Sequence, residues 1–286
     1  MAMEEVIMSS DINRRPFALF AVLALVMAML AGCDDSTTNP GPDPGENNDT
    51  GSVMLKFQIS TTAGTSPFVL DSMYTSESGT EYKVTKFLYY IYGIMLVDSM
   101  GNSISVPMIN ADSTPVNYNT ALVDYRKPET MTLRVLAKRG SYSGIRLAVG
   151  IPQYDSAGNM LNHVDASAME YPLNVDADMY WGWKSGYIFL KIEGRSRAGD
   201  SLLPFFYHVG DDSRFMPMSL DMPFTVKGDG STVRTLAVNV NRLFVTPFGA
   251  HSPNIVGTLT ERITHGGPTA DLVSGNVRGS GFMTLK

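Results

Sequence analysis

The chain has 286 residues, of which 44% are hydrophobic and 17% are charged, and it contains 26 glycines and 16 prolines. This composition predicts a globular body with a sizeable core and many turns rather than long helices. The net charge of −6 excludes the basic surface that nucleic-acid binding requires, so we assign no DNA or RNA partner.

The first 32 residues have the pattern of a bacterial lipoprotein signal peptide. Arg14 and Arg15 precede an apolar run, PFALFAVLALVMAML, that is short for a transmembrane helix. The run ends in Leu-Ala-Gly-Cys33, which resembles the lipobox in which the cysteine is acylated and becomes the mature first residue. Because Cys33 is the only cysteine, its acylation leaves no thiol for a disulfide. An ordinary signal peptide with a chance cysteine is the alternative.

The chain then divides into a tether and one domain. Residues 33–51 are polar and rich in Pro and Gly, which predicts a flexible tether between lipid and domain. We therefore expect a signal peptide over 1–32, the tether over 33–51 and a single folded domain over 52–286. The expected location is the bacterial cell envelope, lipid-anchored at the outer membrane or at the periplasmic face of the inner membrane.

Alternating apolar segments rich in β-branched and aromatic residues predict strands throughout the domain. These segments are 53–60, 82–97, 103–109, 130–136, 145–151, 186–193, 203–209, 232–245 and 282–286. Turn residues predict hairpin connections at 98–102 and 138–141. A weak helical pattern occurs only at 165–169, so the predicted fold is all-β, an antiparallel β-sandwich.

Residues 161–210 concentrate the side chains that are suited to chemistry. His163 and His208 flank Trp181 and Trp183, and imidazole is a common ligand of copper and zinc. From spacing alone, two histidines are more often a surface-loop residue and a core-edge residue. Two tryptophans at i and i+2 point to one face of an extended strand, where they pack or offer an aromatic platform to a sugar.

Methionines and the remaining histidines give weaker signals. Met216, Met218 and Met222 have a spacing that suits Cu(I), although such residues more often fill a hydrophobic strand. His251 and His265 lie in stretches rich in Gly, Pro, Ser and Thr, which is typical of solvated loops. No nucleophile elbow, phosphate loop or HExxH motif is present in the sequence, so we expect a protein that is not an enzyme.

Several motifs together resemble the MbnP-like family. They are Gly150-Ile151-Pro152, Asn162-His163, Pro172-Leu173-Asn174, the run MYWGWKSGYIF from Met179 to Phe189, and Tyr207-His208-Val209-Gly210, with the early aromatic strand 87–96 as a further match. The resemblance spans roughly residues 52–245. It implies a bacterial surface or periplasmic β-sandwich, often a lipoprotein, that is associated with methanobactin-type copper handling.

The resemblance also implies a binding site. His163 and His208 correspond to the family's histidines and are the implied ligands of a Cu(I) ion. Trp181 or Trp183 is the implied site of oxidation to kynurenine, performed by a di-haem peroxidase of the MauG type, or else shields the metal. The chain departs from the family pattern HxGSxxC after Gly210, because Asp211-Asp212-Ser213-Arg214 stands where the pattern often has SxxC.

Another class of function remains open. Trp181, Trp183, Tyr180 and Tyr187 would present an aromatic face to a glycan or a protein, which would make the chain an interaction lipoprotein.

Overall fold

The structure is a computed structural model that describes residues 51–184, 186–245, 262–279 and 281–286. The predicted signal peptide, Cys33, nearly all of the predicted tether, and His251 therefore lie outside the described residues. Within the described residues no helix is long and apolar enough to cross a membrane.

Strands dominate the described part of the chain. In chain order they are β1 Ser52–Ala63, β2 Ser66–Pro67, β3 Met73–Thr75, β4 Glu81–Val97, β5 Ser103–Ser105, β6 Thr120–Asp124, β7 Thr132–Lys138, β8 Gly140–Val149, β9 Ile188–Ala198, β10 Ser201–Gly210, β11 Met216–Val226, β12 Val233–Asn239, β13 Ile263–Thr264 and β14 Met283–Leu285, with one helix, α1, at Gly267–Gly279. The predicted all-β class is confirmed.

These strands form two sheets that pack as a sandwich. One has five strands, in the order β14-β12-β1-β2, with β7 also paired to β1. The other has nine, in the order β11-β8-β4-β9-β10-β13, with β3, β5 and β6 also paired to β4. Apolar side chains that alternate along the strands fill the core, such as Leu55 and Phe57 of β1.

The expectation of purely antiparallel sheets is only partly right. β1 pairs with β12 in parallel, and β10 pairs with β13 in parallel, while the other strand pairs are antiparallel. The connection at 138–141 also differs from the prediction. It passes between the two sheets instead of closing a hairpin, because β7 pairs with β1 and β8 pairs with β4 and β11.

Some predicted elements are shorter than expected, and six elements were missed. The predicted strand 103–109 keeps only the three residues of β5, and 232–245 ends at Asn239 and continues as a 3₁₀ turn, Val240–Phe244. The weak helical signal at 165–169 is a 3₁₀ turn, Ala166–Ala168, which Asp165 caps by accepting a hydrogen bond from the Ser167 N–H. The sequence patterns did not predict α1, the long strand β11, or the shorter strands β2, β3, β6 and β13.

Candidate functional site

The long connection between β8 and β9, residues 150–187, carries most of the candidate site residues. Two buried tyrosines hold its backbone, one on β4 and one at the end of the connection itself. The Tyr90 hydroxyl donates to the Pro172 carbonyl at 2.8 Å, and the Tyr187 hydroxyl donates to the Leu173 carbonyl at 2.7 Å. Both rings are fully buried, and this burial raises the pKa of each hydroxyl. Each hydroxyl therefore stays protonated and remains a hydrogen-bond donor to the connection.

His163 is held by Asp212, which lies just beyond the end of β10. The His163 Nε2 lies 2.9 Å from the Asp212 Oδ2, and the Asn162 amide donates to the other Asp212 oxygen at 2.6 Å. Asn162 is fully buried, and its own oxygen accepts the Tyr187 backbone N–H at 3.0 Å. The carboxylate accepts the Nε2–H, which leaves the Nδ1 of His163 as the nitrogen with a free lone pair.

Trp181 is buried against the end of β10. Only 3% of it is exposed, and a Cβ added to Gly210 would meet the indole at 2.3 Å. Its Nε1 has no hydrogen-bond partner among the described residues. The Lys184 ammonium lies 4.0 Å from the ring centroid and donates to Asp211 at 2.6 Å.

Trp183, by contrast, is 66% exposed, although its ring centroid is only 6.0 Å from that of Trp181. The expectation that both indoles share one face of an extended strand is therefore wrong. They lie in the irregular connection before β9, where one indole packs and the other faces solvent. His163 and both tryptophans line one cavity of about 450 Å³, together with Asp165, Tyr180, Gly182 and Lys184.

His208 lies on the outer face of β10, where Glu193 of β9 holds it. The His208 Nε2 is 2.8 Å from the Glu193 Oε1. This contact, followed by the charge of Lys86, holds the pKa of Glu193 below its ordinary value. As in His163, the carboxylate takes the Nε2 side, so the Nδ1 of His208 keeps a free lone pair.

His265 completes a row of rings that the sequence patterns did not predict. Its ring centroid lies 5.1 Å from that of His208 and 6.1 Å from that of Trp183. Burial, His208 and Lys184 lower the pKa of His265, which favours its neutral form. His265 is exposed in a bend, as its surroundings in sequence suggested, but it also contacts two rings of the candidate site.

The donor chemistry of these residues suits copper in part. Imidazole binds copper, and a carboxylate on the second ring nitrogen is the usual partner of a metal-bound histidine. The described residues contain no group of three or more His, Cys, Asp or Glu side chains that is arranged to hold a metal ion. Among their ring contacts, His208 meets His265 and not His163. The structure therefore brings His208 together with His265, and no contact among the described residues joins His208 to His163.

The three methionines are not brought together as a ligand set. Met216 and Met218 belong to the hydrophobic core, whereas Met222 is 40% exposed at a bulge in β11. Their positions suit packing.

Four residues that shape the site had little or no signal in the sequence. Asp211 and Asp212 were noted only as a departure from the family pattern, yet they hold Lys184 and His163. Glu193 was hidden within the predicted strand 186–193. His265 becomes visible only through the pairing of β13 with β10.

These features define a class of protein, a β-sandwich whose outer face carries carboxylate-bound histidines beside two indoles. The sequence profile of the MbnP family matches residues 50–259, and the chain belongs to that family. Among solved structures, MbnP from Methylosinus trichosporium is similar, with a TM-score of 0.52 and 20% identity over 68% of this chain and 78% of that one. At 20% identity, the similarity between the two structures establishes the fold and nothing beyond the fold. No curated protein matches the sequence.

Proposed function

We propose that this chain captures or holds Cu(I) outside the cytoplasm, as a lipoprotein anchored to the membrane through Cys33 and without catalytic activity of its own. Copper is the cargo, and the donors are the Nδ1 atoms of His163 and His208. Family membership supports the proposal. The single observation that carries it is that each histidine gives its Nε2 to a carboxylate, which fixes the ring and leaves a metal-binding nitrogen.

The surroundings of the histidines suit a soft cation. Asp212 and Glu193 fix the orientation of the rings that they contact, and Trp181 covers the end of β10 with apolar surface. Apolar cover limits access of water and oxidants, which stabilises Cu(I) against oxidation.

We further propose that Trp183 is the tryptophan oxidised to kynurenine, by a di-haem peroxidase of the MauG type. Trp183 is 66% exposed and open to an external oxidant, whereas Trp181 is buried. Two molecules of hydrogen peroxide cleave the indole C2–C3 bond, giving N-formylkynurenine and two waters. Hydrolysis then releases formate and leaves an aniline nitrogen. That nitrogen would be a further donor beside the histidines.

The first test is mass spectrometry and metal analysis of the chain purified from its own host. We expect near-stoichiometric copper, and a peptide in which Trp183 has gained an oxygen atom and lost a carbon atom. A modified Trp181 would contradict the assignment to Trp183. Unmodified tryptophans with bound copper would leave a site made of histidines alone.

A variant pair tests the ligands directly. His163→Ala combined with His208→Ala is expected to abolish copper uptake at micromolar copper. Arg197→Ala is the control. It removes the cation on β9 from the exposed ion pair with Glu81 of β4, and this variant should bind copper as the wild type does. Full copper uptake by the double histidine variant would refute the proposed ligands.

The alternative, an aromatic face for a glycan or a protein, has weaker support. Trp181 and Tyr187 are buried, so that the predicted platform of four rings is reduced to Trp183 and part of Tyr180. Three results together would favour this alternative. The wild type would take up no copper, Trp183→Ala would lose glycan binding, and the double histidine variant would retain glycan binding.

A further inference from the structure

His265 lies beside His208 because of the way in which the C-terminal segment joins the larger sheet. β13 pairs in parallel with β10, with Phe206 opposite Ile263 and Tyr207 opposite Thr264. His208 is the next residue of β10, and His265 is the first residue after β13, in a bend. The pairing therefore ends where the two histidines lie beside each other.

The distance between the two rings suits a shared metal ion. Two imidazoles whose nitrogens each lie about 2.0 Å from one metal have ring centroids roughly 5–6 Å apart. The centroids of His208 and His265 are 5.1 Å apart, with the ring planes at 73°. Glu193 occupies the Nε2 side of His208, which leaves its Nδ1 for a ligand.

The segment that carries His265 is anchored on both sides. Before it, the Phe206 N–H donates to the Arg262 carbonyl at 2.7 Å. After it, α1 buries Ala270, Val273 and Val277 in the core, and Arg214 joins Asp271 of the helix at 2.8 Å. Arg214 also contacts Asp211 at 3.0 Å, so the helix and the end of β10 are fixed to each other.

We propose that His265 binds the same copper ion as His208, so that a ligand from outside the region shared with the MbnP family completes the site of this chain. The family profile ends at residue 259, and β13 and α1 follow it. His208 and His265 supply two imidazole donors, and Cu(I) accepts two or three ligands, so His163 can remain a donor. This inference rests on the proposed function, because it requires that the chain binds copper.

The test compares full chains that carry His265→Ala, His208→Ala or Ile263→Ala. Ile263 is a matched control, since it is 58% exposed on β13 and lies two residues before His265. Cu(I) affinity is measured by competition with a chromophoric chelator, and the number of bound imidazoles by X-ray absorption. Circular dichroism checks that each variant is folded.

We expect His265→Ala to weaken Cu(I) binding by at least about tenfold and to lower the imidazole count by one, with Ile263→Ala unchanged. Removing both His208 and His265 should weaken Cu(I) binding by less than about a further tenfold relative to His208→Ala alone. The two losses are not additive because the two ligands bind one ion. If His265→Ala keeps the affinity and the imidazole count of the wild type while His208→Ala loses Cu(I) binding, this inference is overturned and the proposed function stands. Absence of Cu(I) binding by the wild type would overturn the proposed function as well.

Discussion

Gly210 makes room for the buried indole at the site. Its position at the end of β10 leaves no space for a side chain, because an added Cβ would lie 2.3 Å both from the Trp181 ring and from the Tyr187 carbonyl. The glycine of the HxG motif therefore has a packing role that is separate from any metal ligand.

Gly210→Ala should displace Trp181. Overpacking of this kind costs about 1–3 kcal/mol of unfolding free energy, and movement of the indole towards water should shift its fluorescence to longer wavelength. Urea unfolding and emission spectra measure both effects. Gly182→Ala is the matched control, because nothing lies within 4 Å of a Cβ at Gly182. Equal stability of the two variants would contradict this account of Gly210.

At the residue scale, the sequence could nominate side chains but not their partners. His163, His208, Trp181 and Trp183 stand in recognisable motifs, and the structure places His163 and the two indoles around one cavity. Their partners come from other strands, because burial and hydrogen bonding act between segments distant in sequence. Asp212 meets His163 only after β10 has paired with β9.

At the scale of elements, an ion pair fixes the loop that carries the tryptophans to β9. Lys191 is 4% exposed, and it contacts the Asp178 carboxylate at 3.0 Å as well as its carbonyl. Burial lowers the pKa of Lys191, and the hydrogen bond and charge of Asp178 oppose that shift. Asp178 has a left-handed backbone, with φ of 57°, and it lies three residues before Trp181.

Lys191→Met should loosen this loop. The loss of a hydrogen bond between charged groups costs about 1–3 kcal/mol, and hydrogen exchange should become faster around residues 174–184. Lys83→Met is the control, since Lys83 and Asp71 form a more exposed pair at 3.7 Å, worth less than about 1 kcal/mol. Similar exchange rates in both variants would show that the Lys191–Asp178 pair does not hold the loop.

Predictability also varies between elements. The turn at Asp98-Ser-Met-Gly-Asn102 was predicted, and Asp155-Ser-Ala-Gly-Asn159 repeats it with the same hydrogen bonds from Asn to Asp. Local side-chain chemistry specifies such turns, so the sequence suffices. The helix α1 escaped prediction because its buried face mixes the polar Ser274 and Asn276 with Ala270 and two valines, which gives little hydrophobic contrast.

At the scale of the whole molecule, strand positions were predictable and strand partners were not. Apolar alternation located β1 and β4 to within a few residues because period-two burial is local. The parallel pairing of β1 with β12 depends on how distant segments pack, which no local pattern encodes. The same holds for β13, whose pairing with β10 brings the C-terminal segment to the candidate site.

The whole molecule should lose stability in acid, partly through Asp124. Only 1% of this side chain is exposed. Burial acts to raise the pKa of Asp124, but hydrogen bonds from the Arg126 guanidinium and backbone outweigh burial, so the pKa lies below its ordinary value. A carboxyl group whose pKa is lower in the folded state stabilises the fold above its unfolded pKa, about 3.9. That contribution is lost as the pH falls through the folded pKa.

We therefore expect the urea midpoint of the wild type to fall as the pH drops below about 4. Asp124→Asn should lower the unfolding free energy at neutral pH by about 1–3 kcal/mol and should make the remaining acid dependence shallower, because this group no longer titrates. Asp200→Asn is the control, since the Asp200 side chain forms no ion pair within the described structure. An acid dependence in Asp124→Asn as steep as that of the wild type would mean that other carboxylates, such as Asp178 and Glu193, carry the effect.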